Sequence, residues 1–215
     1  MTGILAALAA NRLESLAVLF GLVSVYLSSR QRIASWPTAI LNVGIFFVIF
    51  WQSKLYADSV LQLVYLSLSV YGWWAWRRGG EARTPLRVSR AGRRLMVLGT
   101  AGALVCGLGL GAFLDLRTDS PVPYLDAVLT AFSLLAQWMM TRKILENWAV
   151  WILVDLLYVP MFIARGLPIT AVQYAVFLIL AVMGWASWKH SWTAEQVGGR
   201  GGPVRSAPPR EGVIA

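Results

Sequence analysis

Long apolar segments alternate with short polar or charged joints along this chain. Because an α-helix rises 1.5 Å per residue, about 20 apolar residues cross the hydrocarbon core of a bilayer. The pattern therefore predicts an all-α integral membrane protein with seven transmembrane helices, and residues 4–10, too short to span, are expected to form a small interfacial helix. The seven segments are 13–29, 36–52, 58–76, 95–114, 124–141, 148–164 and 169–188.

The chain repeats itself without a gap at an offset of 112 residues. Trp36 falls on Trp148, and the Gly-Trp-x-x-Trp sequence that starts at Gly72 falls on the one that starts at Gly184. Both copies begin on the same side of the membrane, which requires an odd number of spans between them. Segment 95–114 supplies that span. The repeat predicts a parallel 3+1+3 arrangement, two three-helix bundles joined by an inverting linker helix, as found among transporters.

These patterns divide the chain into five parts. The linker helix contains a G-x-x-x-G sequence at 107–111, which is typical of close helix packing either within the chain or in an oligomer. The C-terminal tail, residues 191–215, is rich in Gly and Pro and is predicted to be disordered. The parts are an N-terminal extension 1–12, a first bundle 13–76, a basic loop with the linker helix 77–123, a second bundle 124–190 and a tail 191–215.

Charge adds an orientation. Only 13% of residues are charged, about half the share of a soluble domain. With the tail placed inside, 15 of the 19 Lys and Arg residues fall in joints on that side. The positive-inside rule then puts the N-terminus outside and the C-terminus in the cytoplasm. The basic joints are interpreted as solvated faces, and no nucleic-acid partner is expected.

Several chemistries have no counterpart in the sequence. There is one cysteine and one histidine, and no spacing of His, Cys and carboxylates typical of a metal site. A phosphate-binding loop motif and a nucleophile–base set are also missing. The sequence therefore predicts a protein that is not an enzyme and has no catalytic residues, metal or cofactor.

The stretch 136–158 places polar groups inside apolar segments, where each is costly without a partner or a cavity. Trp148, Trp151, Asp155 and Tyr158 share one helix face. They are either the lining for a flat, polar or cationic ligand, or an aromatic packing seam around one partnered Asp. Gln137 and Asp155 have apolar counterparts in the first copy. Scaffold residues should recur in both copies, so this difference favours ligand contact.

Further polar groups at mid-depth extend the candidate pathway. The segment 58–76 carries a polar stripe, and Asn42 and Trp51 lie on the preceding segment. Ser and Thr alone would indicate helix–helix contacts, whereas amides and a carboxylate favour a pathway. The candidate substrate-binding residues are Gln137, Asn147, Trp148, Trp151, Asp155, Tyr158, Gln62, Tyr65, Asn42 and Trp51.

Residues 36–76, 124–159 and 173–188 resemble the PnuC family of bacterial nicotinamide riboside transporters. The L-Y-A-D sequence at 55–58 and the R-K…E-N-W-x-x-W…D pattern at 142–155 carry the likeness. By position, the family's W-x-x-W pair is Trp148 and Trp151, its nearby amides are Asn147 and Gln137, and its third-span pattern lies at 62–65.

The resemblance implies a SWEET-like fold, a homotrimer and an inner-membrane location in a bacterium. It also implies facilitated diffusion of nicotinamide riboside by alternating access, with trapping by a separate cytoplasmic nicotinamide riboside kinase. Members of the family take other vitamins, such as thiamine or riboflavin, so another vitamin or nucleoside is an alternative. A heptahelical receptor that binds a ligand without flux is a further one.

Overall fold

The computed structural model describes residues 2–118 and 122–200, which form seven α-helices and one short 3-10 helix, Glu81–Arg83. This confirms the predicted all-α class, and within the described ranges the only strand-like pairing is an isolated bridge between Ser89 and Ile144. Five of the helices are long and apolar enough to cross a membrane by length and composition alone. The helices are α1 Thr2–Ser29, α2 Ser35–Gln52, α3 Tyr56–Arg78, α4 Arg93–Arg117, α5 Pro123–Thr141, α6 Asn147–Ala164 and α7 Pro168–Arg200.

Two helices are longer than predicted. α1 starts at Thr2, so the separate interfacial helix expected at 4–10 is wrong; no Gly or Pro interrupts residues 4–20, and the helix is continuous. α7 ends at Arg200, beyond residue 191 where the disordered tail was expected to begin. Residues 191–197 contain neither Gly nor Pro, which explains why the helix continues. Residues 201–215 lie outside the described part of the chain.

The helices pack as the repeat predicts. α2 contacts α1 and α3, α6 contacts α5 and α7, and the two bundles meet where α1 packs on α7 and α3 on α5. α4 packs on α5. A Cβ atom at Gly107 would lie 2.7 Å from the Val128 Cα, and one at Gly111 would lie 2.9 Å from the Tyr124 Cα. The G-x-x-x-G sequence therefore serves close packing within the chain.

Equivalent turns in the two bundles share an unusual backbone. The α1–α2 and α5–α6 turns contain Gln31 at φ 55° and Lys143 at φ 49°, and the α2–α3 and α6–α7 turns contain Lys54 at φ 60° and Gly166 at φ 71°. Each pair is 112 residues apart. The left-handed region is unfavourable for Gln and Lys, so surrounding contacts must hold these turns.

A cluster of four buried tryptophans joins the two bundles. Trp76 and Trp188, which are repeat partners, have ring centroids 5.7 Å apart. The Trp76 Nε1 donates to the Met140 carbonyl at 2.9 Å, and the Trp188 Nε1 donates to the Ser28 carbonyl at 3.0 Å. Positions 28 and 140 are also 112 residues apart. The two bundles are therefore joined by two equivalent hydrogen bonds, one donated by each bundle. This tryptophan cluster consists of Trp36, Trp76, Trp148 and Trp188.

The loop between α3 and α4 is partly built into the core. Its segment 86–91, called the strap below, pairs with the α5–α6 turn: the Ser89 N–H donates to the Lys143 carbonyl at 3.0 Å, and the Leu145 N–H donates to the Ser89 carbonyl at 2.9 Å. Val88 is buried against the tryptophan cluster. Most arginines of the loop are exposed, as the sequence predicted, but its backbone is fixed to the second bundle.

Candidate functional site

α6 presents the predicted face of aromatic residues and one carboxylate. Asp155 is only 2% exposed, and Tyr158, one turn further, is also buried. Among the described residues, Asp155 has no hydrogen-bond or ion-pair partner. The alternative interpretation, an aromatic packing seam around one partnered Asp, requires a partner that is not found among these residues. A buried carboxylate without one is costly, which indicates a site that a cation or a hydrogen-bond donor completes.

Three aromatic rings surround the C-terminal part of this face. The ring centroids of Tyr158 and Tyr174 are 4.7 Å apart, and Phe162 stacks on Tyr174 at 5.0 Å. Phe132 of α5 packs against the same core around Tyr158, and Tyr65 lies half-buried on α3, the helix that packs on α5. Aromatic rings from three helices of the second bundle therefore gather around Tyr158, one turn beyond Asp155 on α6. These are surfaces suited to a flat or cationic ligand.

Several buried polar atoms beside the tryptophan cluster have no hydrogen-bond partner within the described part of the chain. The Asn147 Nδ2 donates to the Ile144 carbonyl at 2.6 Å, but the Asn147 Oδ1 and the indole Nε1 atoms of Trp148 and Trp151 are buried without a hydrogen bond. Their counterparts, the Ser35 Oγ and the Trp36 Nε1, are likewise unpartnered. Buried polar atoms are nearly always paired, so the set indicates groups held for a ligand or water.

Trp151 connects these two regions, since it packs against both the tryptophan cluster and the core around Tyr158. Gln62 and Gln137 are half-buried on α3 and α5, the helices through which the bundles meet. Eight of the ten candidates thus lie on the helices around the interface of the bundles. Trp148 also serves the scaffold because its ring packs on Gly184.

Two candidates lie elsewhere. The Asn42 Nδ2 donates to the Ala17 carbonyl at 2.7 Å and so ties α2 to α1. Trp51 is 57% exposed near the end of α2, where it packs on Phe47 and Tyr56. The structure does not bring either side chain to Asp155.

The sequence-based selection missed Tyr174 and Phe162. Aromatic residues in an apolar segment are not distinguishable by sequence from lipid-facing or core residues. Only the repeat could have indicated that Tyr174 belongs to the site. Tyr174 is the counterpart of Gln62, so it breaks the repeat at a candidate position.

Two repeated bundles with an incomplete polar site near their interface define a helical membrane protein of the small-molecule transporter class. The family model described as nicotinamide mononucleotide transporter matches residues 11–190. The chain belongs to this family, that of the PnuC transporters. The predicted family and fold class are therefore confirmed.

Individual relatives agree with this assignment. The nicotinamide riboside transporter PnuC of Escherichia coli (strain K12) is 26% identical over 204 residues, covering 83% of this chain and 85% of that protein. The riboflavin/roseoflavin transporter RibM of Streptomyces davaonensis is 28% identical over 176 residues, covering 79% and 81%. A crystal structure of the vitamin B3 transporter PnuC is similar with a TM-score of 0.68 at 25% identity, covering 89% of this chain and 88% of that one.

Proposed function

We propose that this transporter carries nicotinamide riboside into a bacterial cell across the inner membrane by facilitated diffusion. A cytoplasmic nicotinamide riboside kinase traps the imported nicotinamide riboside inside the cell by phosphorylating it. The N-terminus lies outside, and the chain works as a homotrimer. The observation that carries the choice of substrate is the buried, unpartnered carboxylate of Asp155. Nicotinamide riboside has a permanently charged pyridinium ring, and this carboxylate is the group that would neutralise it.

The remaining groups fit the rest of that molecule. The faces of Trp151 and Tyr158 suit the pyridinium by cation–π attraction, worth about 2 kcal/mol when desolvated. The free Asn147 Oδ1 can accept a hydrogen bond, and the free Trp151 Nε1 can donate one, to the carboxamide or the ribose. The half-buried Gln137 supplies both functions.

Alternating access follows from the two bundles moving against each other. In the present conformation they are joined at one end by the cross-ties of Trp76 and Trp188. The Lys143 Nζ also lies 3.4 Å from the Gln31 Oε1 of the other bundle and 4.6 Å from the centroid of the Trp76 ring. Opening this end requires these contacts to separate.

Uptake of radiolabelled nicotinamide riboside into proteoliposomes tests the proposal. Replacing Asp155 by Asn removes the charge and keeps the shape. At an effective dielectric of about 20, a charge pair about 5 Å apart is worth about 3 kcal/mol, so we expect uptake at low substrate to fall about 100-fold. Asp115→Asn, an identical change at an exposed position of α4, is the control. If folded wild-type protein gives no more uptake than empty vesicles, nicotinamide riboside is not the substrate.

Riboflavin is a second candidate, favoured by the likeness to RibM. Its ring system is uncharged, so Asp155→Asn should leave riboflavin binding nearly unchanged. Competition of both vitamins for one site separates the two substrates, and saturable binding without flux would indicate a receptor instead.

A further inference from the structure

A cavity lies apart from Asp155, between the end of α1 and α7. Its volume is about 560 Å³. It opens beside the α1–α2 turn, at the end of the molecule where the basic residues gather. The polar part of its lining consists of Tyr26, Arg30, Gln31, Arg32, Ser187 and Ser191.

The cavity holds two positive charges that have no acidic partner in the described part of the chain. Among the described residues, neither Arg30 nor Arg32 has an acidic partner within ion-pair distance. Arg30 lies over the Tyr26 ring at 5.7 Å. The Gln31 Nε2 donates to the Ser191 Oγ at 2.9 Å, which fixes one wall between the two helices. The result is a cationic recess with hydroxyl groups on its α7 side.

The equivalent place in the second bundle is filled by the chain itself. There the strap pairs with the turn, and Glu146 accepts hydrogen bonds from Arg90 and from the Ala91 N–H. Arg142, the counterpart of Arg30, donates to the Tyr71 hydroxyl at 2.7 Å. In the first bundle the counterpart of Glu146 is Ala34, which carries no charge. The first bundle therefore has no carboxylate at the position where Glu146 pairs with Arg90 in the second bundle, and the cavity there is left open.

An apolar surface leads from the cavity along the same two helices. On α1, Leu19 and Val23 are exposed and lie on the face that continues to Arg30. On α7, Ile179 and Met183 are exposed and lie two turns and one turn, respectively, before Ser187, the first of the two cavity-lining serines. The eleven residue steps from Leu19 to Arg30 rise about 16 Å, close to one leaflet of a hydrocarbon core of about 30 Å.

We propose that this cavity and the surface above it bind an anionic phospholipid. The phosphate lies between Arg30 and Arg32, and the acyl chains follow Leu19, Val23 and the exposed apolar residues of α7. A guanidinium pair matches the charge of the headgroup, and the apolar length matches one leaflet, whereas a soluble phosphate would use only the base of the site. This site is separate from the transported substrate and does not depend on its identity.

Native mass spectrometry of the full chain in detergent, titrated with phosphatidylglycerol and with phosphatidylcholine, tests the proposal. We expect tighter binding of phosphatidylglycerol, and a loss of that preference in Arg30→Gln/Arg32→Gln. Each charge near a membrane surface contributes about fivefold, so the pair should change affinity about 25-fold. Arg93→Gln/Arg94→Gln removes two exposed charges at the start of α4 and should keep the preference.

Two further measurements separate the site from general surface charge. Ser187→Leu fills the cavity without changing its charge and should also weaken phosphatidylglycerol binding. Glycerol 1-phosphate carries the headgroup charge without acyl chains and should compete at least tenfold more weakly than the lipid. Equal loss in both arginine pairs, an unaffected Ser187→Leu variant, or full competition by glycerol 1-phosphate would each overturn the lipid assignment.

Discussion

Gly184 and Gly72 allow tryptophan rings to lie directly against helix backbone. A Cβ at Gly184 would lie 2.5 Å from the Cε2 of Trp148, and one at Gly72 would lie 2.2 Å from the Cη2 of Trp36. Distances below 3.0 Å force a displacement. Both rings are almost fully buried in the tryptophan cluster and have little room to move. We therefore expect Gly184→Ala to destabilise the fold.

The magnitude follows from two opposing effects. Overpacking a well-packed core costs about 1–3 kcal/mol, while Ala in place of Gly in a helix interior stabilises by up to about 1 kcal/mol. Gly44→Ala on α2 shows the helix-stabilising effect of Ala without overpacking, because a Cβ at position 44 would have no described atom within 4 Å. The two variants should differ by about 1–3 kcal/mol. At about 2–4 °C per kcal/mol, Gly184→Ala should melt about 2–12 °C below Gly44→Ala.

Thermal unfolding in detergent, followed by tryptophan fluorescence, measures this difference. Gly72→Ala should behave like Gly184→Ala, since the two glycines are repeat partners. If Gly184→Ala melts at the same temperature as Gly44→Ala, the Trp148 ring does not lie against α7, and the reasoning on the tryptophan cluster is refuted.

Two further predictions concern the turn between α5 and α6. Glu146→Gln should lower stability by about 1–2 kcal/mol, because it weakens the bonds from Arg90 and the Ala91 N–H; unchanged melting would show that the strap is not held there. Burial lowers the pKa of Lys143 from its ordinary value of 10.5, although Glu195 acts to raise it. The unfolded chain then binds more protons between the two pKa values, so stability should rise with pH through that window towards 10.5. Melting temperatures at pH 8 and 10.5 should show this rise in Lys189→Met but not in Lys143→Met, and an equal rise in both would contradict it.

The fold was predictable because the bilayer restricts it so strongly. Span length, the repeat and the charged joints define seven helices and their pairing without any knowledge of side-chain contacts. The repeat also places Trp36 on Trp148, as expected for scaffold residues, and the structure shows both rings packed on a glycine of the third helix in their bundle.

The candidate site was less predictable, since helix periodicity gives the face of a residue but not its neighbours. Asn42 looked like a ligand contact, yet its amide is used by the Ala17 carbonyl. Tyr174 looked like an ordinary aromatic residue, yet it stacks in the group beside Asp155. The strap was hidden because its arginines dominate the composition, while only Leu86 and Val88 of this segment pack against the tryptophan cluster.

Calorimetric titration of nicotinamide riboside into the purified transporter tests the central claim most directly. Saturable binding to the wild type is expected, with affinity about 100-fold weaker in Asp155→Asn and unchanged in Asp115→Asn. The absence of binding to folded wild-type protein, or equal affinity in Asp155→Asn, would contradict the assignment of this carboxylate to a cationic substrate.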